Sequence, residues 1–324
     1  MRRKGCRRVT FWRLCLYFIA TFPHRPGAVN RARGLPIAAG RRYHYGMSPL
    51  VIALVLGAAM LHASWNAVLR GGNDRLWAMT VMSVATTAVA IPWALLVPAP
   101  APPSWPYLLA SGALQAAYSY FLVQAYRYGD LAQVYPIARG TAPLLVTLAA
   151  ALLARDIPGV PGLCGIALIS IGLIGLSGRI APGKRRSVVF AVVTGAFIAA
   201  YTTLDGIGVR LAGGSGGYTA WMFMVYGAVM VPGYLALRGP TRLRHTPAEA
   251  LRAAVGGLLS LAAYGVVVFA LRRAPIGAVS ALRETSVVFA GLLGHFWLGE
   301  RLTLRRLMFC IVIAAGAALI GWQK

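Results

Sequence analysis

The sequence is poor in acidic residues and rich in apolar ones. Of its 324 residues only 7 are Asp or Glu, against 32 Lys or Arg, so the formal net charge is +25. Charged residues make up 12% and hydrophobic residues 58% of the chain, whereas an ordinary soluble domain has about 25% charged residues. This composition excludes a soluble globular domain and indicates that the chain lies in lipid.

Patterns typical of catalytic and metal sites are also missing. The chain has 4 cysteines without C-x-x-C spacing, and it contains no H-E-x-x-H, D-D-x-x-D or G-x-x-x-x-G-K-[ST] pattern. GGSGG at 213–217 matches the G-x-S-x-G pattern, but it joins two apolar segments and does not follow a strand. We therefore predict a protein that is not an enzyme, with no catalytic residue, no metal, no cofactor and no ATP-driven step.

The basic residues are spread between apolar segments, so they form no single patch for nucleic acid. Residues 1–46 hold 11 of the 32 basic residues and no acid, and their one apolar run is short and interrupted by Arg13. A targeting sequence would also be rich in arginine and poor in acids. We predict instead that translation starts at Met47, and that 1–46 is a mis-annotated start or a disordered basic extension.

Apolar segments long enough to cross a bilayer recur along the rest of the chain. A helix needs roughly 20 apolar residues to span about 30 Å of hydrocarbon. The segments lie near 49–70, 77–97, 105–126, 132–154, 159–178, 187–208, 218–237, 250–271, 276–298 and 303–322. The sequence thus predicts an all-α integral membrane protein with ten transmembrane helices, multi-pass in the cell (inner) membrane.

The second half of the sequence repeats the pattern of the first half after about 145 residues. The turn AYRYGDLAQ at 125–133 corresponds to ALRRAPIGA at 270–278. Each turn precedes an apolar segment with a central arginine, at Arg139 and Arg283. We predict two inverted five-helix repeats, 47–178 and 187–324, joined by a basic linker at 179–186. Repeats of this kind are typical of secondary transporters.

The two central arginines are the first candidates for a substrate site. An arginine at the centre of a membrane helix costs roughly 2.5–3.5 kcal/mol on insertion scales, so each needs a partner or a wet site. Pro136 and Pro143 flank Arg139 and remove backbone donors, so we predict a bent or broken helix beside it. Tyr135, four residues earlier, lies on the same face of this helix as Arg139. The structural alternative is that Arg139 and Arg283 cap carbonyl groups or pair with nearby acids, namely Asp130, Asp205 or Glu284.

Polar side chains in the first helix fall on one face and are matched in the sixth. His62, Trp65 and Asn66 have i, i+3, i+4 spacing, and Tyr201 and Asp205 follow His62 and Asn66 after 139 residues. Tyr118 lies on a polar face of the third helix. These side chains are candidates for substrate contact, and hydrogen bonding between helices would equally explain them.

Glu284 is the first candidate for proton coupling, with Asp205 as the second. A carboxyl group in an apolar site can change its protonation state as access alternates. Because Arg283 and Glu284 are adjacent, they would project about 100° apart on a helix. We therefore expect these two side chains to have different neighbours.

Three segments are informative when taken together: LHASWN at 61–66, YPIARGTAPLL at 135–145 and SVVFAGLLGHFWLGE at 286–300, which ends on Glu300. In sequence and spacing they resemble the drug/metabolite transporter superfamily, in its EamA-like branch. The first half departs from the pattern by having Asp156 at the position of Glu300. The resemblance covers about 47–322 and implies a ten-helix exporter or exchanger of small metabolites, with alternating access around a central cavity.

The prediction is a secondary active or facilitative transporter of a small organic metabolite, with a lipid bilayer as its surroundings. Two central arginines facing few acids favour an anionic or zwitterionic substrate. A non-transporting scaffold or accessory subunit, or a channel, stays open as an alternative. Glycines at 165, 172, 175 and 178 would permit close helix packing, either within the chain or in a homodimer.

Overall fold

The structure is a computed structural model that describes residues 47–70, 74–128, 131–178, 185–239, 246–298 and 303–322. The predicted extension 1–46, Asp130, most of the linker 179–186 and Glu300 therefore lie outside the described residues. His44–Lys324 forms one compact unit. The two repeats consequently pack on each other instead of forming separate domains.

The described residues form eleven α-helices and one short 3₁₀ turn at Pro102–Ser104. The helices are α1 Pro49–Arg70, α2 Arg75–Leu96, α3 Trp105–Tyr128, α4 Leu131–Ala154, α5 Val160–Leu176, α6 Arg185–Leu211, α7 Ser215–Arg238, α8 Pro247–Leu271, α9 Ile276–Arg283, α10 Ser286–Leu298 and α11 Leu304–Gly321. Every predicted apolar segment carries a helix, and one segment carries two.

The predicted single helix at 276–298 is wrong, because α9 ends at Arg283 and α10 starts at Ser286. Between them, the Glu284 amide donates to the Ala281 carbonyl at 3.0 Å and the Thr285 amide to the Leu282 carbonyl at 3.1 Å. These i→i−3 bonds tighten the chain into a 3₁₀-like turn. Hydropathy does not detect a change of hydrogen-bond pattern, so the sequence did not indicate the interruption.

Seven of the described helices are individually long and apolar enough to cross a membrane, namely α1, α2, α4, α6, α7, α8 and α11. The helix α5 is apolar but has 17 residues, and α9 and α10 are shorter because of the turn between them. The α3 helix, with 24 residues, carries glutamine and several tyrosines that lower its hydropathy. The chain is therefore a multi-pass membrane protein, while ten crossings remain a prediction.

Helix α4 is continuous from Leu131 to Ala154, although Pro136 and Pro143 lie within it. Helix α4 is therefore not broken, and the other part of the prediction, a bend, stays a prediction. Thr141 Oγ1 donates to the Ile137 carbonyl at 2.9 Å, and Thr147 Oγ1 to the Pro143 carbonyl at 2.7 Å. Neither carbonyl is one that the prolines leave without a donor, since those lie four residues before each proline. The interruption lies instead at the corresponding place in the second repeat, between α9 and α10.

Polar caps fix where several helices begin. Asp74 accepts from the Trp77 amide before α2, and Thr303 accepts from the Arg306 amide before α11. Thr246 and Glu249 form a reciprocal capping box at the start of α8. Because a cap satisfies amide groups that the first turn leaves unpaired, these residues determine the register in which each apolar face enters the bundle.

The helix pairs follow a two-fold pattern that exchanges the repeats. The α3–α6 pair corresponds to the α8–α1 pair, and α4–α6 corresponds to α1 with α9 and α10; each of these pairs joins helices of different repeats. The pairs α5–α11, α2–α7 and α4–α9 join equivalent helices of the two repeats. The internal repeat predicted from the sequence is thus also present in the packing, and α1, α4, α6 and α9 meet at its centre.

The glycines of α5 serve packing within the chain. Gly165 lies against the carbonyl group of Gly316, and Gly172 lies against Ile313. Both partners belong to α11, which buries few of its own side chains elsewhere. Large apolar side chains on several helices are exposed and form the expected lipid-facing surface; examples are Leu95, Leu96, Leu152, Val160 and Leu304.

Candidate functional site

Arg139 lies near the middle of α4 and its guanidinium is buried, with 3% of the side chain exposed. Its Nη1 donates to both carboxylate oxygens of Glu284, at 3.2 and 3.1 Å. Glu284 stands in the turn between α9 and α10, so this ion pair joins the two repeats. The charge of Glu284 therefore lies in the turn that interrupts the ninth predicted segment.

Arg283 binds the same carboxylate from the other side. Its Nε and Nη2 donate to Glu284 Oε1 at 3.3 and 3.2 Å. The expectation that Arg283 and Glu284 have different neighbours is therefore wrong. The 100° separation holds only inside an α-helix, and α9 ends at Arg283, which turns the Glu284 carboxylate back toward it. One carboxylate thus accepts from two guanidinium groups.

His62 lies on the second side of the Arg139 guanidinium. Its Nδ1 accepts from Trp65 Nε1 at 3.1 Å, and its Nε2 meets Arg139 Nη2. Both ring nitrogens face donor groups, and a neutral imidazole can accept at only one of them. We call Arg139, Arg283, Glu284 and His62 the arginine cluster.

The Asn66 side chain does not reach the arginine cluster. Its Nδ2 donates to the His62 carbonyl at 2.8 Å, one turn back along α1. Trp65 is buried and its ring meets the His62 ring edge-on at 4.8 Å between centroids. In this conformation, Trp65 and Asn66 therefore hold His62 in place and do not contact the arginines directly.

Four tyrosines surround the arginine cluster. The Arg139 guanidinium carbon lies 5.2 Å from the centroid of the Tyr135 ring, and that of Arg283 lies 6.0 Å from the centroid of Tyr264. Tyr201 meets Tyr118 and Tyr264 edge-on, at 5.8 and 6.0 Å between centroids. Aromatic faces attract cations, so these rings help the buried guanidinium groups to remain charged away from water.

Asp205 forms a second polar group beside this aromatic wall. It is fully buried in α6, and its carboxylate accepts from Tyr218 Oη at 3.0 Å and from Tyr264 Oη at 2.5 Å. Ser111 is a third hydrogen-bond partner. We call these four residues the aspartate cluster. Among the described residues, no ion pair joins Asp205 to either arginine.

Sequence reasoning missed Ser111, Tyr218 and Tyr264. A signal for one of them was available, because Tyr264 is one of few polar side chains in the middle of α8. Tyr218 stands near the start of α7, where a tyrosine is common at a membrane interface. Nothing in the spacing related Tyr218 to Asp205, since the two helices approach each other only in the folded bundle.

A third polar group closes one end of the bundle and was also missed. Asp156 Oδ2 pairs with Arg210 Nη2 at 2.8 Å and accepts from the Ile276 amide at 3.0 Å. Arg210 also donates to the carbonyl groups of Leu271 and Ala274, at 3.0 and 2.8 Å. Asp156, the position where the sequence departs from the family pattern, thus ties the first repeat to the start of α9.

The arrangement can bind an anionic group. Arg139 presents a guanidinium whose partners are a carboxylate and an imidazole, and guanidinium groups bind carboxylates and phosphates with two parallel hydrogen bonds. Glu284 keeps Arg283 as a partner if Arg139 turns to another anion. Among the described residues, no group of three or more His, Cys, Asp or Glu side chains could hold a metal ion.

A family model matches both halves of the chain. It describes the EamA-like transporter family and covers residues 49–178 and again 185–322. The chain belongs to the EamA-like transporter family. The drug/metabolite transporter superfamily that the sequence resembles contains this family, so the predicted family is confirmed and the internal repeat with it. Membership identifies a membrane transporter of the drug/metabolite type.

Solved structures share the fold of this EamA-like protein. One, described as "Crystal structure of protein", has a TM-score of 0.67 and 17% sequence identity, over 83% of this chain and 94% of that chain. At that identity the similarity shows the fold alone. No curated protein sequence matches the chain.

Proposed function

We propose that this EamA-like protein moves a small organic metabolite across the cell (inner) membrane by alternating access, as an exporter or exchanger, with the arginine cluster as its central binding site. The observation that carries the proposal is the Arg139–Glu284 pair. A guanidinium and a carboxylate from different repeats meet near the centre of the bundle at 3.1 Å, with at most 3% of either side chain exposed. Buried ionisable groups within a membrane bundle commonly mark substrate and ion pathways.

In this proposal Arg139 anchors an anionic or zwitterionic substrate, and Arg283 completes the positive charge of the site. His62 contacts the Arg139 guanidinium, with Trp65 bonding the imidazole and Asn66 bonding the His62 backbone carbonyl. Glu284 and Asp205 are the acids available for proton coupling. Tyr118, Tyr135 and Tyr201 contribute ring faces and hydroxyl groups to the wall of the site.

Alternating access requires the two repeats to move against each other around the site. Each repeat has five predicted membrane segments, an odd number, so the halves would have opposite orientations in the bilayer. The Asp156–Arg210 pair, 2.8 Å long, joins the loop after α4 to the end of α6. Opening of this end would have to break that pair.

A scaffold or accessory subunit is the second candidate, and one observation favours it. Arg139 is already paired by Glu284 and Arg283 shares the same carboxylate, so the buried charges have partners without any substrate. In that case the cluster would serve only to join the repeats. Ligand binding that depends on Arg139 separates the two functions.

The test is a thermal-shift screen of the detergent-purified full-length protein with amino acids, carboxylates, phosphonates and cationic drugs. Binding to the folded state raises its apparent stability, by about 2.7 kcal/mol at a ligand concentration 100 times Kd. We expect an anionic or zwitterionic ligand to stabilise the wild type and to have no effect on Arg139→Ala. This variant should fold, because Glu284 keeps Arg283.

Arg238→Ala is the matched control for that screen. Arg238 pairs with Asp74 at 3.8 Å at the rim of the bundle, with 32% of its side chain exposed, so its loss should leave the ligand shift unchanged. A ligand that stabilises wild type and Arg139→Ala equally would contradict Arg139 as the anchor. A wild type that unfolds cooperatively but responds to no ligand would favour the scaffold.

A further inference from the structure

The buried charges at the centre of the bundle balance only when both acids are ionised. Arg139 and Arg283 contribute two positive charges, and Glu284 and Asp205 contribute two negative charges when neither is protonated. All four side chains are at most 3% exposed. Because an uncompensated charge is costly in a membrane, a further negative charge can enter this neutral site only with a positive charge beside it.

The two acids are held in different ways. Glu284 accepts only charge-assisted hydrogen bonds, from Arg139 and Arg283, and these favour its carboxylate form. Asp205 accepts from the neutral hydroxyl groups of Tyr218 and Tyr264. A hydroxyl group can donate to a carboxylate and accept from a carboxylic acid. Asp205 can therefore take up a proton and keep both tyrosines as partners.

Arg283 is a charged neighbour of Asp205. Its guanidinium carbon lies 6.0 Å from the centroid of the Tyr264 ring, whose hydroxyl group binds Asp205. Arg139 of α4 acts electrostatically on Tyr201, which lies on the same helix as Asp205. The 3₁₀ turn at 102–104, which also packs against that helix, has no titratable residue. The groups facing Asp205, by helix, are Ser111 (α3), Tyr201 (α6), Tyr218 (α7), Tyr264 (α8) and Arg283 (α9).

We propose that Asp205 takes up one proton for each monoanionic substrate that binds to Arg139, so that proton and anion cross the membrane together. The inference rests on the proposed function, because it requires Arg139 to bind the substrate. The proton passes from solvent to a carboxylate oxygen of Asp205, the anion pairs with Arg139, and Glu284 stays with Arg283. No covalent bond of the substrate changes. The site is neutral before and after binding.

This assignment moves proton coupling from Glu284, the first candidate in the sequence, to Asp205. It also narrows the substrate class. A monoanion such as a monocarboxylate needs one proton, whereas a zwitterion carries no net charge and needs none. Tyr264 connects the two clusters, since its hydroxyl group binds Asp205 while its ring faces Arg283. A change of charge at Asp205 therefore changes the electrostatic potential at the arginines.

Calorimetry on the full-length protein in detergent tests the proposal, with acetate, lactate and benzoate as probes and their amides as uncharged controls. Titrations in buffers of different ionisation enthalpy report the protons taken up on binding. We expect about one proton per carboxylate, and an affinity that falls about tenfold per pH unit once Asp205 is ionised. Asp205→Asn should bind carboxylates without proton uptake and without that pH dependence.

Tyr264→Phe keeps the proposal testable if Asp205→Asn does not fold. It removes one donor that stabilises the ionised carboxylate, so the pH at which carboxylate binding is half lost should rise by about one unit. Tyr226→Phe is the matched control, because this half-buried tyrosine contacts Ser119 at 3.4 Å and not Asp205. No such rise, or the same rise in the control, would contradict the role of Asp205.

The remaining outcomes separate this inference from the proposed function. Carboxylate binding that depends on Arg139 but takes up no proton would overturn the inference and leave the proposed function standing. Proton uptake that persists in Asp205→Asn would overturn it as well. Binding of an amino acid zwitterion alone, lost in Arg139→Ala, would contradict the monoanion. Carboxylate binding unaffected by Arg139→Ala would contradict the site itself.

Discussion

At the scale of single residues, Glu284 is the most constrained group in the site. Its carboxylate accepts from both central arginines and it stands where α9 ends. Arg139, in contrast, shares its acid with a second arginine. The two partners of this pair are therefore unequal, because loss of Arg139 leaves Glu284 with Arg283, whereas loss of Glu284 leaves two buried guanidinium groups without an acid in hydrogen-bond contact.

Glu284→Gln should therefore destabilise the protein more than Arg139→Gln. Removal of one partner from a buried pair costs about 3–5 kcal/mol where a charge is left uncompensated. In Arg139→Gln, Glu284 keeps Arg283 and Asp205 can take up a proton, whereas Glu284→Gln leaves two guanidinium groups with Asp205 alone. The free energy of unfolding measured with denaturant in mixed micelles, or the ranking of Tm values in detergent, checks the prediction. Equal destabilisation by the two variants would show that Arg283 does not compensate Glu284.

How much of the site the sequence could predict depended on the kind of interaction. Arg139, Arg283 and Glu284 were found because a charge in an apolar segment is costly, and such a residue can be recognised from the sequence alone. Their shared carboxylate was not found, since it depends on the turn at 284–285. Arg210 and Tyr218 were missed because their partners lie 54 and 13 residues away in sequence, on elements that meet only in the fold.

At the scale of elements, apolar length predicted the helices well. The segment predicted at 159–178 is the helix Val160–Leu176, and that predicted at 250–271 is Pro247–Leu271. The errors concern irregularity within helices. Helix α4 stays continuous through two prolines, and the interruption of the ninth segment comes without any proline. Local residue type thus does not decide where a packed membrane helix is interrupted.

The α5–α11 contact offers a prediction about element packing. A Cβ atom at Gly165 would meet the Gly316 carbonyl oxygen, whereas one at Gly57 of α1 would meet no heavy atom within 4 Å. Gly165→Ala should thus destabilise the protein by about 1–3 kcal/mol through overpacking. Gly57→Ala should be neutral or slightly stabilising, because alanine favours the helix.

Thermal unfolding of the two glycine variants in the same detergent checks this prediction. A lower Tm for Gly165→Ala alone would support the close approach of α5 and α11 within one chain. If both variants melt like the wild type, the glycines of α5 do not pack against α11. A variant that changes only the oligomeric state would instead support the homodimer considered from the sequence.

At the scale of the whole molecule, the two repeats are joined by polar contacts at two levels. The Arg139–Glu284 pair lies at the centre, and the Asp156–Arg210 pair lies at one end. In the proposed transport cycle, the Asp156–Arg210 pair would break when this end of the bundle opens, and the Arg139–Glu284 pair would stay in place. This separation of a central site from an end closure is what alternating access requires, and it also distinguishes the proposal from a channel with a continuous path.

Counterflow in proteoliposomes tests the central claim most directly. Vesicles containing the full-length protein are loaded with an excess of a ligand identified by thermal shift, and a trace of labelled ligand is added outside. A carrier should accumulate the label transiently, and Arg139→Gln should abolish this accumulation while Arg238→Gln retains it. Equilibration without transient accumulation would indicate a channel, and no protein-dependent flux in the wild type would contradict transport.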